Sequence, residues 1–272
     1  MTLARSLIAS LGFLAATTAV AQTRSNANHD AYGYSVADSS LATCPAQFVD
    51  IASQGVALAL SSDDNAVAAA DDGGGALTLS APFELYGAAV PSVVVSSNGY
   101  IAAAADLSEE DGRDFSNDCP MPAVPDNPHA QARRIAVYHD ELDGQASSGQ
   151  VLSNYFATCP RPAASGAIEA CTVVQWDNWR KLGDAATLRF EAILYHASFE
   201  ISLQYHDVDA SQGASASVGL QDPAAGTAAV YGCNGSVPIA ASHAVCFFDP
   251  RFLPGSANDT IFANGFEQAA GH

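Results

Sequence analysis

The side chains best equipped for chemistry in this chain are carboxylates, and two short stretches concentrate them. DLSEEDGRD (Asp106 to Asp114) carries Asp106, Glu109, Glu110, Asp111 and Asp114, and the turn DELDG (Asp140 to Gly144) adds Asp140, Glu141 and Asp143. Hard carboxylate oxygens suit Ca²⁺, and Asp106, Asp111, Asp140 and Asp143 are the ligands to expect if the two stretches meet. Neither stretch has EF-hand spacing, so a solvated acidic loop is the favoured reading of each. Zinc is a weaker reading, since no His or Cys residues are paired at ligand spacing. Calcium is the one cofactor the residues suggest.

Nucleophilic catalysis needs a Ser or Cys beside a base. No G-x-S-x-G occurs. His139, His196, His206 and His243 are available, and their partners in a β-rich chain would come from distant positions. A hydrolase therefore requires a buried His bonded to a Ser and an acid in a cleft, and no catalytic residue is assigned from sequence. His206 beside Asp207 reads as a solvated strand end. Trp176 and Trp179 could stack on a sugar. Three positions apart on a regular strand, they fall on opposite faces, one in the core and one exposed.

The elements that position these groups begin after a processing segment. Arg5 supplies a positive start, Leu7 to Val20 an apolar stretch, and Ala19-Val20-Ala21 a small-residue cleavage site, so residues 1–21 read as a signal peptide cut between Ala21 and Gln22. No later apolar run could span a bilayer, and the expected location is extracellular or periplasmic. The chain has 29 acidic and 10 basic residues. Loss of Arg5 takes the net charge from −19 to −20, and Lys181 is the one lysine. Such a surface repels nucleic acid and anionic membranes. Six cysteines (Cys44, Cys119, Cys159, Cys171, Cys233 and Cys246) suit an oxidised, exported chain. Cys159 with Cys171 and Cys233 with Cys246 each flank a loop. Local pairing of these couples is the expectation, which leaves Cys44 with Cys119.

Residues 22–42 are polar and aperiodic and read as a flexible leader. The domain proper is expected over 43–250, with a C-terminal tail over 251–272. Within it, Val93-Val94-Val95, Asn98-Gly99 and Tyr100-Ile101 predict a tight hairpin with a two-residue type I′ turn. Arg134 to His139 alternates as a core strand, and Val151 to Ala157 pairs with Cys171 to Trp176. Leu188, Phe190, Ala192 and Leu194, followed by Phe199, Ile201, Leu203 and Tyr205, predict a hairpin with one buried face. The intervening Arg189, Glu191, Glu200, Ser202, Gln204 and His206 predict a wet one. No stretch of the mature chain sustains a helical period. The fold class is all-β, an antiparallel β-sandwich with long irregular loops.

In order along the chain, FVDIASQGVALALSSDD (Phe48 to Asp64), PFELYG, VVVSSNGYIA, RIAVYHDELD (Arg134 to Asp143), VVQWDNW, LRFEAILYHASFEISLQY and ASVGLQD resemble the nidogen-like extracellular domain found also in bacterial secreted proteins. His139 stands where that family usually has Trp, and Val137-Tyr138 replaces Pro-Phe. The resemblance implies an extracellular β-sandwich of adhesive or matrix proteins without catalytic machinery. The expectation is a secreted, non-catalytic binding or surface-adhesion module whose partner is an extracellular protein or glycan. The alternatives are a secreted hydrolase or its accessory domain, and a structural envelope protein. Oligomeric state is left open.

Overall fold

The computed structural model describes residues 29–62, 67–117, 119–122 and 132–254. The expected signal segment and its Ala21–Gln22 junction lie outside them, as does the tail beyond Pro254. The strands are β1 (Ser35–Asp38), β2 (Val56–Ala57), β3 (Gly74–Thr78), β4 (Glu84–Leu85), β5 (Ala88–Ala89), β6 (Ser92–Ser96), β7 (Tyr100–Ala102) and β8 (Arg134–His139). They continue with β9 (Gln150–Phe156), β10 (Cys171–Arg180), β11 (Thr187–Tyr195), β12 (Ile201–Asp207), β13 (Ser217–Asp222), β14 (Thr227–Cys233) and β15 (His243–Phe248). One sheet runs β1-β15-β12-β11-β10-β9-β2, the other β14-β13-β8-β7-β6-β3, and β4 and β5 form a small ribbon. All pairings are antiparallel. A shared core joins Val93, Val95, Ile101, Ile135 and Val137 of one sheet to Val174, Trp176, Phe190, Leu203 and Val245 of the other, which makes the fold a sandwich.

The hairpin at Asn98-Gly99 forms, with Val94 opposite Ala102 and Val95 opposite Ile101. Its turn differs from the two-residue expectation. Gly99 alone has positive φ, at 77°, and its N–H donates to Ser96 O at 3.4 Å, as in a type I turn closed by a left-handed Gly. A Cβ on Gly99 would lie 2.2 Å from Tyr138 O, so the glycine also admits β8. Asn98 is fully buried and its side chain is fixed, donating to Asp72 Oδ1 at 2.9 Å and accepting from Leu142 N–H at 2.9 Å.

Both tryptophans are buried, a correction to the one-in, one-out expectation. The β10–β11 register slips between Trp176 and Trp179, and Asn178 takes φ 54°. This bulge breaks the alternation and turns Trp179 inward. The indole N–H groups donate to Ser96 O at 2.9 Å and Ser97 O at 2.8 Å, joining the two sheets across the core.

The leader expectation fails for the described part of 22–42. Tyr34 and Val36 enter the core, and β1 pairs with β15. Four strand residues set in a polar run are too few to show a period. Strand β15 was also missed, because its near-continuous apolar run, buried on both faces, shows no alternation.

The predicted inner face of the β11–β12 hairpin is correct: Phe190, Leu194, Ile201 and Leu203 are all buried. The predicted wet face is wrong over most of its length, since Glu191, Glu200, Ser202 and Gln204 are buried as well. The chain before β2 crosses this face as a strap. Gln47 N–H donates to Gln204 Oε1 at 2.8 Å, Val49 N–H to Glu191 Oε1 at 2.7 Å and Ile51 N–H to Gln175 Oε1 at 2.8 Å. Gln175, Glu191 and Gln204 are cross-strand neighbours on β10, β11 and β12. Buried backbone donors need acceptors, and this row supplies them at every second residue of the strap. Val49 and Ile51 then pack on Val173, Ile193 and Tyr195. Glu200 is covered separately, accepting from Ala164 N–H at 2.7 Å and from Arg161 at 3.3 Å.

Glu191 Oε2 has no hydrogen-bond partner, and burial drives its carboxyl well above the ordinary 4.5. The folded state holds the acid neutral, so stability is greatest below pH 4.5 and is lost as pH rises towards the folded value. Glu191→Gln keeps the acceptor for Val49 and removes the titration. The variant should match the parent near pH 4 and exceed it in denaturant melts at neutral pH, with the gap widening as pH rises. Equal stability at pH 7 would show that Glu191 ionises at no cost.

Candidate functional site

The disulfides set the frame. Cys159 pairs with Cys171 as expected, and the other two pairings correct the local-loop expectation: Cys44 bonds Cys246, and Cys119 bonds Cys233. The reason is topological. Cys233 ends β14 at the border of the six-stranded sheet, whereas Cys246 lies on β15 in the other sheet. Cys44 follows β1, whose Ala37 is already opposite Cys246. No cysteine among the described residues is free.

The acidic loop and the DELDG turn do not pool their carboxylates. Asp106 closes its own turn, accepting from Ser108 N–H at 2.8 Å and Ser108 Oγ at 2.5 Å. Asp111 accepts from Arg113 N–H at 3.0 Å. Glu110 and Asp114 turn inward to the buried Arg134 guanidinium, at 2.8 and 2.6 Å, and Tyr100 Oη donates to Glu110 at 2.9 Å. Asp143 Oδ1 accepts from Ala146 N–H at 3.1 Å. Burial, then the neighbouring charges of Asp143, Asp72 and Glu141, push the Asp71 carboxyl upward. Among the described residues no three His, Cys, Asp or Glu side chains form a group able to hold a metal ion.

The four histidines His139, His196, His206 and His243 each have a defined setting. His139 is buried against the Tyr100 ring, 4.7 Å between centroids, with Nε2 3.1 Å from Asp114 O. His196 bridges Thr172 Oγ1 and Pro82 O. His206 and Asp207 form the exposed pair expected of a strand end. His243 makes the arrangement most like a catalytic relay. Ser39 Oγ is 2.8 Å from Nδ1, Tyr231 Oη is 2.8 Å from Nε2, and that phenol donates to Asp38 Oδ2 at 3.0 Å. An oxyanion would need nearby free N–H groups. Those of Ser39 and Ser40 are committed, to Ala244 O and Asp38 Oδ1. The group acts as a clamp between β1, β14 and β15.

The remaining constellation opens on a cavity. Leu182 N–H donates to Glu141 O at 2.9 Å and Asp143 N–H to Arg180 O at 2.8 Å, so the DELDG turn lies along the end of β10. This sets Asp140 beside Lys181. Lys181 Nζ donates to Asp140 Oδ2 at 2.7 Å and to Ser215 Oγ, and Ser215 Oγ donates to the same Oδ2 at 2.7 Å. Asp140 is nearly buried, while Lys181 stays part-exposed. Beside them lies an open surface cleft of about 570 Å³, lined by Lys181, Leu182, Gly183 and Asp184 from one connection and by Ser211, Ala214 and Ser215 from another. Sequence reasoning singled out Asp140 but missed Lys181 and Ser215 as its partners. The pairing of Lys181 with Leu142 across an isolated bridge carries no periodic signal.

A family model described as NIDO related matches residues 40–246. The chain belongs to this nidogen-related family. No curated protein and no solved structure matches it. The family match ends at Cys246 and thus spans all three disulfides, the strap and the Lys181 cleft. In this nidogen-related domain no helix among the described residues is long and apolar enough to cross a membrane.

Glu110→Ala should destabilise the fold by about 3–5 kcal/mol, because it breaks a buried pair and leaves Arg134 short of a partner. Asp106→Ala, at an exposed turn, should stay within about 0.5 kcal/mol in the same chemical melts. Burial lowers the His243 pKa below its ordinary 6.5. Its neutral form therefore belongs to the folded state, and stability should fall as pH drops from about 6.5 towards the lower folded value. His243→Gln should flatten that part of the pH–stability profile, and an unchanged slope would place the proton elsewhere.

Proposed function

We propose that this nidogen-related protein is a secreted, non-catalytic binding module that serves surface adhesion, in the extracellular or periplasmic space. The observation that carries the reading is the open cleft lined by Lys181, Asp184 and Ser215, in which Lys181 and Ser215 are both tied to the buried Asp140 beneath the surface. Its walls come from the β10–β11 and β12–β13 connections, and loops on a stiff β-scaffold are where binding residues concentrate. Export is supported by the signal-like N-terminal sequence and by three disulfides that an oxidising compartment preserves. The hydrolase alternative is less well supported, because the Ser39–His243 group has its neighbouring amides committed. Lys181 is likewise tied up in its contact with Asp140.

Beads coated with the mature protein should adhere to intact envelopes of the producing cell or to extracellular matrix above an inert protein control. Leu182→Glu, on the exposed rim, should abolish the excess while leaving the thermal melt unchanged. Adhesion no greater than the control, or full adhesion by the variant, would overturn the reading in favour of a purely structural role.

A further inference from the structure

We infer that the ligand of the Lys181 cleft is a neutral, hydroxyl-rich molecule of the carbohydrate type. The inference rests on the recognition reading above and adds the chemistry of the ligand. Three features select that class. The first is the balance of charge. The Lys181 ammonium is matched by Asp140, and Asp184 on the wall adds a further negative charge within a chain that carries 29 acidic and 10 basic residues. An anionic ligand would enter against that field. A cation would find a single carboxylate, Asp184, among the lining side chains, fewer than a cation site needs.

The second feature is the mixture of donors and acceptors. An ammonium has three N–H donors, and the bonds to Asp140 and Ser215 use two of them. Ser215 Oγ donates to Asp140 and keeps acceptor capacity, and the Asp184 carboxylate, also in the lining, accepts only. Hydroxyl groups, which donate and accept at once, satisfy such a set, whereas a purely apolar ligand would leave it desolvated and unpaired. The third feature is the apolar part of the wall. Leu182 is 45% exposed, with Gly183 beside it in sequence and Ala214 also in the lining. These give a small, low surface for the C–H face of a sugar ring. A volume of about 570 Å³ lies within the span of small-molecule sites.

The test is direct binding of the full mature chain to immobilised panels of neutral glycans and of sulfated or uronic-acid glycans, followed by titration of the best binder. A neutral glycan should bind, and both Ser215→Ala and Leu182→Glu should weaken it at least tenfold while each variant stays folded, Leu182→Glu with an unchanged melt. Ser215→Ala leaves the Asp140–Lys181 pair in place, and Leu182→Glu alters only the rim, so two separable variants address the same cleft. Binding confined to the anionic panel overturns the inference, as does neutral binding indifferent to both variants. Silence of both panels overturns it too. If bead adhesion still depends on Leu182 in that case, the ligand class falls and the recognition reading stands. If adhesion also fails, both fall.

Discussion

Four backbone carbonyls around the β6–β7 turn hold this molecule together. Ser96 O and Ser97 O take the indole N–H groups of Trp176 and Trp179 from the opposite sheet. Gly99 O takes the N–H groups of both Val137 and Tyr138 at 3.0 Å, and Asn98 O takes that of Asp140 at 3.4 Å. The Asn98 side chain adds Leu142 and Asp72. A single turn thus fixes the separation of the sheets, the path of β8 and the start of the DELDG turn. Asp140 reaches Lys181 because Asn98 holds the residues on either side of Glu141. The position of the proposed binding cleft follows from the core, not from the loops that line it.

What was legible in the sequence is what depends on local pattern. Asn98-Gly99, the alternation of Arg134 to His139 and the inner faces of β11 and β12 are period-2 or turn signals, and the sheets formed around them. What was not legible depends on a second layer of chain. Glu191 and Gln204 alternate with apolar residues just as solvent-facing residues would, yet they face a strap that needs acceptors. The trace of this in the sequence is chemical. At Gln175, Glu191 and Gln204, three consecutive strands carry acceptor-capable side chains without a lysine, where an exposed sheet face would tolerate one. Trp179 eluded the pattern for another reason: alternation presumes regular strand geometry, and a bulge at Asn178 suspends it.

The disulfides show the same division. Cysteine count and compartment pointed to full oxidation, and no described cysteine is free. Connectivity depends on which sheet each strand joins, which spacing does not encode. Cys233 and Cys246 are 13 positions apart in sequence yet belong to different sheets. Two of the bridges close long spans, with separations of 202 and 114 residues. Cross-links over such distances remove more unfolded-chain entropy than the 12-residue Cys159–Cys171 loop does. The first of them secures β1, and with it the entry to the strap, at the border of the seven-stranded sheet.

Charge explains why one lysine stands out. The chain has few cations, and several arginines serve as ties between segments: Arg134 gathers the acidic loop, Arg161 sits against Tyr195 and Glu200, Arg189 joins Asp50 to Asp177, and Arg251 joins Glu84 to Asp249. Arginine suits this work, because its planar fork satisfies several acceptors at once and is weakly hydrated when buried. Lysine is a compact, strongly hydrated charge, and its one occurrence is where a cavity reaches the solvent. Asp140 cancels that charge without burying it. The cleft therefore offers hydrogen-bond donors without the net positive potential that would recruit polyanions, and under the proposed binding reading its selectivity would rest on the geometry of polar contacts more than on long-range attraction.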